Sequence, residues 1–129
     1  VLVLGATGAA ALLGGSPPTL AEEAKGQQIA LGVTFKLLKE VDPVRPFPGY
    51  SKARLMELTF QPGAKATDTT KTVVICEIQG APLYVEIEGK EPFTLQPGDI
   101  YFCPVGTVET DTNKSDKPCT MRIVELQPV

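Results

Sequence analysis

The sequence predicts an all-β domain, and three observations carry that expectation. Twelve prolines and twelve glycines are spread through 129 residues, a supply of turn formers that suits many short strands better than helices. From Ser51 onward, apolar residues recur in alternating or β-branched runs of about six to nine residues, each closed by a turn signal. No heptad, internal repeat or low-complexity tract breaks the pattern. Strands at this spacing without helices predict a small sandwich or barrel. The length allows one hydrophobic core and one domain.

The first residues are unlike the rest. Residues 1–13 are small and apolar, Ser16-Pro17-Pro18 ends the run, and Thr19-Leu20-Ala21 before Glu22 resembles an export cleavage site. The run is shorter than the ~20 residues that span a bilayer. With no initiator Met and no basic n-region, it reads as the remainder of a longer leader. Residues 1–21 are therefore expected to be an export signal or a membrane-anchor or docking segment. This implies an exported, periplasmic or extracytoplasmic protein with membrane contact through Val1–Leu13.

Residues 22–29 are polar and expected to be a linker, leaving 30–129 as the β domain. "IALGVTFKLLKEV" suits helix or strand by period alone. Its Gly32-Val33-Thr34-Phe35 start and the following "DPVRPFPGY" favour an opening strand and an extended Pro-rich connection. Then come "ARLMELTF" before Gln61-Pro62-Gly63, "KTVVICEIQ" before Gly80, "LYVEIE" before Gly89 and "EPFTL" before Gln96-Pro97-Gly98. "DIYFCP" before Gly106 and the final "CTMRIVEL" complete the series. "LYVEIE" alternates cleanly, so Leu83, Val85 and Ile87 are expected in the core, with Tyr84, Glu86 and Glu88 wet. In the last run Met121, Ile123 and Glu125 share one face and Arg122, Val124 and Leu126 the other. The sequence leaves open which set turns inward.

Charge and residue types exclude several functions. A net charge of −3 offers no basic field for nucleic acid. The chain contains no histidine, which removes the usual general base and the usual imidazole metal ligand. Cys76, Cys103 and Cys119 form no CxxC, so neither a zinc knuckle nor a thioredoxin-type motif is present. They are expected to be packed thiols, or to include one disulfide in an oxidising compartment. GxSxG, P-loop, Rossmann and HExxH patterns are absent.

Four features, "LTFQPGA", "VVICEIQG" ending on Gly80, "LQPGDIYFCPVG", and Asn113 four residues after Glu109, make residues 30–127 resemble a cupin. Gly98, five intervening residues, Pro104, Gly106 and Asn113 fit the second cupin motif. The first motif fits weakly, with a shortened loop. The resemblance implies a cupin-type jelly-roll β-barrel with a cavity at one end, and a family tendency to pair as homodimers through the sheets. Metal-dependent cupins use two histidines and a glutamate from the first motif and a histidine from the second. Counted back from Gly80, the glutamate position falls on Val73 and the histidine positions on Thr67 and Thr69. Counted forward from Gly63, the histidine positions fall on Thr69 and Lys71. The second-motif position is Glu109. Neither register supplies a ligand set, so no metal and no cofactor is expected.

The expected ligand pocket is Thr67, Thr69, Val73, Tyr101 and Glu109, with Glu109 at the rim, solvated or paired with Lys71 or Arg122. An oxygen-only Ca²⁺ or Mg²⁺ site would need three or four of Asp68, Glu77, Glu109 and Glu125 together. Strand parity turns Cys103 and Cys119 inward as the expected disulfide, and makes Cys76, opposite in parity to Val73, a packed thiol. Metal-free sugar-epimerase cupins use a histidine base, which this chain lacks.

Three functions follow as expectations. The first is a non-catalytic, metal-free exported cupin-fold protein, an accessory or structural subunit bound to protein partners in a membrane-associated assembly. The second is a small-ligand-binding cupin using the barrel cavity. The third is an atypical cupin enzyme with a carboxylate or thiol site.

Overall fold

The computed structural model describes residues 26–44, 48–103 and 105–129, which form strands and turns without a helix. The expected signal or anchor over 1–21 lies outside the described residues. Ten strands follow one another: β1 (Gln27–Ala30), β2 (Val33–Val41), β3 (Tyr50–Phe60), β4 (Lys65–Thr69), β5 (Val73–Gln79), β6 (Leu83–Ile87), β7 (Phe93–Leu95), β8 (Ile100–Phe102), β9 (Val108–Thr112) and β10 (Cys119–Pro128). β1 occupies residues 27–29 of the expected linker, because Gln27 and Gln28 pair with Phe35 and Thr34 in a hairpin. The folded domain thus begins before residue 30. β4 and β9, which are polar, add to the strands read from apolar runs.

The strands form a six-stranded sheet, β1-β2-β3-β10-β5-β8, and a four-stranded sheet, β4-β9-β6-β7. Among the described residues the two sheets are hydrogen-bonded separately, so the expected closed barrel is an open two-layer arrangement. The large sheet and strand β6 of the small one are apolar on the faces turned to each other, and burial of those faces drives the layers together. β10 is the seam of the larger sheet. Its residues Cys119–Leu126 pair with Phe60–Ala53 of β3, and Thr120–Leu126 pair with Gln79–Val73 of β5.

Alternation decides the core. Phe35 of β2, Met56, Leu58 and Phe60 of β3, Val74, Cys76 and Ile78 of β5, and Met121 and Ile123 of β10 point inward from the large sheet. Leu83, Val85 and Ile87 meet them from the small one. Each large apolar side chain so buried contributes about 1.5–3 kcal/mol. On β10 the inward set is therefore Met121, Ile123 and Glu125, while Val124 lies exposed on the outer face.

The turn between β9 and β10 is tied by Asn113. Its Nδ2 donates to Phe60 O at 2.9 Å and Lys117 O at 2.7 Å, and its Oδ1 accepts from Ser115 N and Ser115 Oγ. The second-motif asparagine thus acts as a buried brace. It spares those backbone groups the cost of an unmade bond.

Candidate functional site

β9 reads Val-Glu-Thr-Asp-Thr, and its period of two places Glu109 and Asp111 on the inner face of the small sheet. Thr110 turns outward, where its Oγ1 lies 2.8 Å from Thr67 Oγ1 of β4. Glu109 stands between Asp68 of β4 and Ile87 of β6, and Asp111 between Ala66 and Val85. The two acids are 2% and 1% exposed, as buried as the core leucines.

From β8 in the opposite sheet, Tyr101 Oη donates to Glu109 Oε1 at 2.9 Å. The Tyr101 ring also packs against Phe93, with centroids 5.6 Å apart. Burial, then the neighbouring Glu109 carboxylate, pushes the Tyr101 phenol well above its usual range, so it stays a donor. Glu109 Oε2 and both Asp111 carboxyl oxygens receive no donor from the described residues. Two ionised acids side by side in an apolar core would be costly. Burial first, and Glu109 second, hold the Asp111 carboxyl well above the ordinary aspartate value. A proton retained on Asp111 removes one of the two charges from this part of the core. This is how environment sets one carboxyl to donate beside another.

Two thiols border the acids. Cys76 Sγ and Cys103 Sγ lie 3.1 Å apart in the interior. The bond from Cys76, then burial, pushes the Cys103 thiol far up. Cys119 is buried as well, its thiol pushed up to about 11 by burial and by Asp111. The expected Cys103–Cys119 pairing is thus corrected: the thiol facing Cys103 belongs to Cys76, because Val74, Cys76 and Ile78 are the inward residues of β5.

Further along the inner face of β10 lies a separate ionic cluster. Glu125 accepts from Thr72 Oγ1 at 2.8 Å and from Gln127 Nε2 at 3.1 Å, and Arg54 Nη1 stands 3.6 Å away. Arg54 also approaches Glu40 at 3.4 Å. Unlike the β9 pair, this buried acid has its partners.

Of the expected pocket residues, Tyr101 and Glu109 are brought together. Thr67 is exposed on the outer face of β4, and Thr69 shares its parity and is half-buried. Val73 lies outside as well, since Val74 takes the inward place. Glu109 is no rim residue: it is enclosed, while Arg122 pairs with Glu57 at 2.9 Å on the outer face. Sequence reasoning missed Asp111, although it repeats the parity of Glu109 two residues on.

The donor set does not fit a metal. Among the described residues, no three His, Cys, Asp or Glu side chains converge in an arrangement that could hold an ion. The inward positions of the strand facing β9 are Ala66 and Asp68, and Asp68 Oδ1 accepts from Thr69 N at 2.8 Å. What the arrangement can do is accept hydrogen bonds at the open carboxyl oxygens and hold or pass a proton at Asp111.

No protein-family model matches the sequence. A search of curated proteins finds no match. Solved structures do match in shape. The cupin domain of Cnp3 from Schizosaccharomyces pombe superposes with a TM-score of 0.60 at 13% identity, covering 79% of this chain and 67% of that one. The cupin domain of an XRE-family transcriptional regulator from Enterobacter cloacae gives 0.59 at 19% identity, covering 76% and 99%. KdgF from a Halomonas species gives 0.56 at 20% identity, covering 78% and 85%. These likenesses are to a fold shared by proteins of different roles.

Proposed function

We propose that this chain, a cupin fold with Glu109 where an imidazole ligand would stand, is a binding module for a small polar molecule. The observation that carries this reading is the set of three buried carboxyl oxygens without donors, Glu109 Oε2, Asp111 Oδ1 and Asp111 Oδ2. Buried polar atoms are nearly always paired, and an exception calls for a partner from outside the chain. A carboxylate acceptor such as Glu109 Oε2 selects hydroxyl or ammonium groups and rejects carboxylates, while the Asp111 carboxyl, holding its proton, both donates and accepts. Tyr101, half-buried on the β8 edge strand, orients Glu109 through its 2.9 Å bond. The module works without a metal, since its residues offer no ligand set.

Isothermal titration with neutral polyols and primary amines, against simple carboxylates of matched size, tests the reading. A polyol or amine is expected to bind, and Glu109→Gln to weaken that binding about tenfold or more by removing a charged acceptor. Absence of binding throughout the series, or equal binding by the variant, would refute it.

A second reading keeps the accessory subunit docked on a protein partner, and a different observation supports the docking. Ile100 and Phe102 on β8, and Val105 just after it, are large apolar residues exposed along the chain of this edge strand. An apolar strip on an edge strand suits a protein partner.

A further inference from the structure

The binding reading makes no use of Cys76 and Cys103, yet their sulfurs lie 3.1 Å apart. β5 and β8 bring them there. Cys76 stands opposite Tyr101, and Cys103 follows one residue after β8, its N–H donating to Val74 O at 3.2 Å. Both come from backbone held by β-sheet bonds, so their approach is fixed by the fold. A disulfide bond is about 2.05 Å long. Closing the pair from 3.1 Å needs only a small side-chain movement.

We propose that Cys76 and Cys103 form an oxidative modification site, closed to an internal disulfide by a small hydroperoxide. Cys103, at 5% exposure against complete burial of Cys76, is the sulfur an oxidant reaches first. Its thiolate attacks one peroxide oxygen; the O–O bond breaks, and water leaves with the thiol's proton. The sulfenic acid left on Cys103 is then attacked by Cys76 Sγ. The S–O bond breaks as the S–S bond forms, and a second water carries off the Cys76 proton. In sum two thiols and one hydrogen peroxide give one disulfide and two waters; the cysteines lose two electrons and the peroxide gains them. The tight site admits a two-oxygen oxidant and shuts out bulky disulfides such as oxidised glutathione. Because the Cys103 thiol is held protonated by the Cys76 bond and by burial, closure is slow and accelerates as pH rises. The product clasps β5 to the corner after β8, two residues from the tyrosine that bonds Glu109.

Peptide mapping tests this directly. Lys71, Lys90, Lys114 and Arg122 place the three cysteines in separate tryptic peptides, 72–90, 91–114 and 115–122, since Lys117 precedes proline. The full chain is reduced, desalted, exposed to hydrogen peroxide, alkylated in denaturant and digested. Peptides 72–90 and 91–114 are expected as one linked species lighter by two hydrogens, separable by dithiothreitol, with Cys119 alkylated. The link is expected to persist in Cys119→Ser. It closes a loop with a separation of 27 residues, so the oxidised protein should melt roughly 10 °C or more above the reduced one. A link through Cys119, a link between chains, Cys103 oxidised beyond sulfenic acid with Cys76 still free, or three alkylated cysteines would each overturn the proposal.

Discussion

At Asp111 the fold holds a proton that the unfolded chain releases. Burial and the adjacent Glu109 raise the carboxyl's proton affinity in the folded state. Above the ordinary aspartate range, therefore, the folded form binds more protons than the unfolded one. Stability from this group is fully present below the unfolded value near 3.8 and is lost as pH rises toward the raised folded value. Urea midpoints measured from acid to mildly alkaline pH should fall over that span, and Asp111→Asn should flatten the slope by supplying a permanent neutral donor. A slope unchanged by the substitution would show that Asp111 is not the titrating group. Glu125 makes the contrast. Equally buried, it is bonded by Thr72 and Gln127 and faces Arg54, so that carboxylate has protein partners.

Among the elements, turns and strand parity carry the specific information. Asn113 braces the β9–β10 turn through two backbone carbonyls. Asn113→Ala leaves the Phe60 and Lys117 oxygens short of a donor and should cost about 2–4 kcal/mol in urea unfolding. At the end of β5, Gly80 has φ of 84°, and an added Cβ would meet Pro118 O at 2.8 Å. Gly98 has φ of 93° but open space around it. Gly80→Ala should therefore lower stability more than Gly98→Ala, whose cost is the left-handed backbone alone, roughly 1 kcal/mol. Equal losses would mean the close approach to Pro118 relaxes freely.

The apolar strands were legible because their alternation matches a half-buried sheet, as in Leu83, Val85 and Ile87. β5 was legible as a strand but not in its facing. Five of its seven residues are apolar, and the one charged side chain, Glu77, marks the outer face. Taken as the guide, Glu77 puts Val73 outside and Cys76 inside. β9 hid its role for the opposite reason. Val-Glu-Thr-Asp-Thr offers two acids on one face and a valine with two threonines on the other, and no rule of burial turns the acids inward. β4, Lys-Ala-Thr-Asp-Thr, lacks an apolar alternation altogether, and β1 lay within a stretch polar enough to pass for linker.

For the whole molecule, the two layers leave β8 at the border of the large sheet. The corner glycines and the second-motif spacing pointed to this general shape, because turns are set locally. Whether the layers seal into a barrel depends on pairing between distant strands, which no local signal encodes. On the open border Phe102 is 67% and Ile100 71% exposed. Phe102→Lys should leave the unfolding free energy within about 0.5 kcal/mol. If the strip pairs two copies of this chain, wild-type protein associates with rising concentration in sedimentation velocity, and the variant stays monomeric. Monomeric wild-type protein at all concentrations would leave the strip to a different protein partner.

β10 pairs with β3 on one side and β5 on the other, and both precede it in the chain. During synthesis the ribosome must therefore release the strand at the heart of the sheet after its neighbours. Until then β3 and β5 present two facing rows of unclaimed backbone. Made after the strands on both sides of it, β10 works as a zip fastener, and a stop codon just ahead of Cys119 would leave a slot in the middle of the fold.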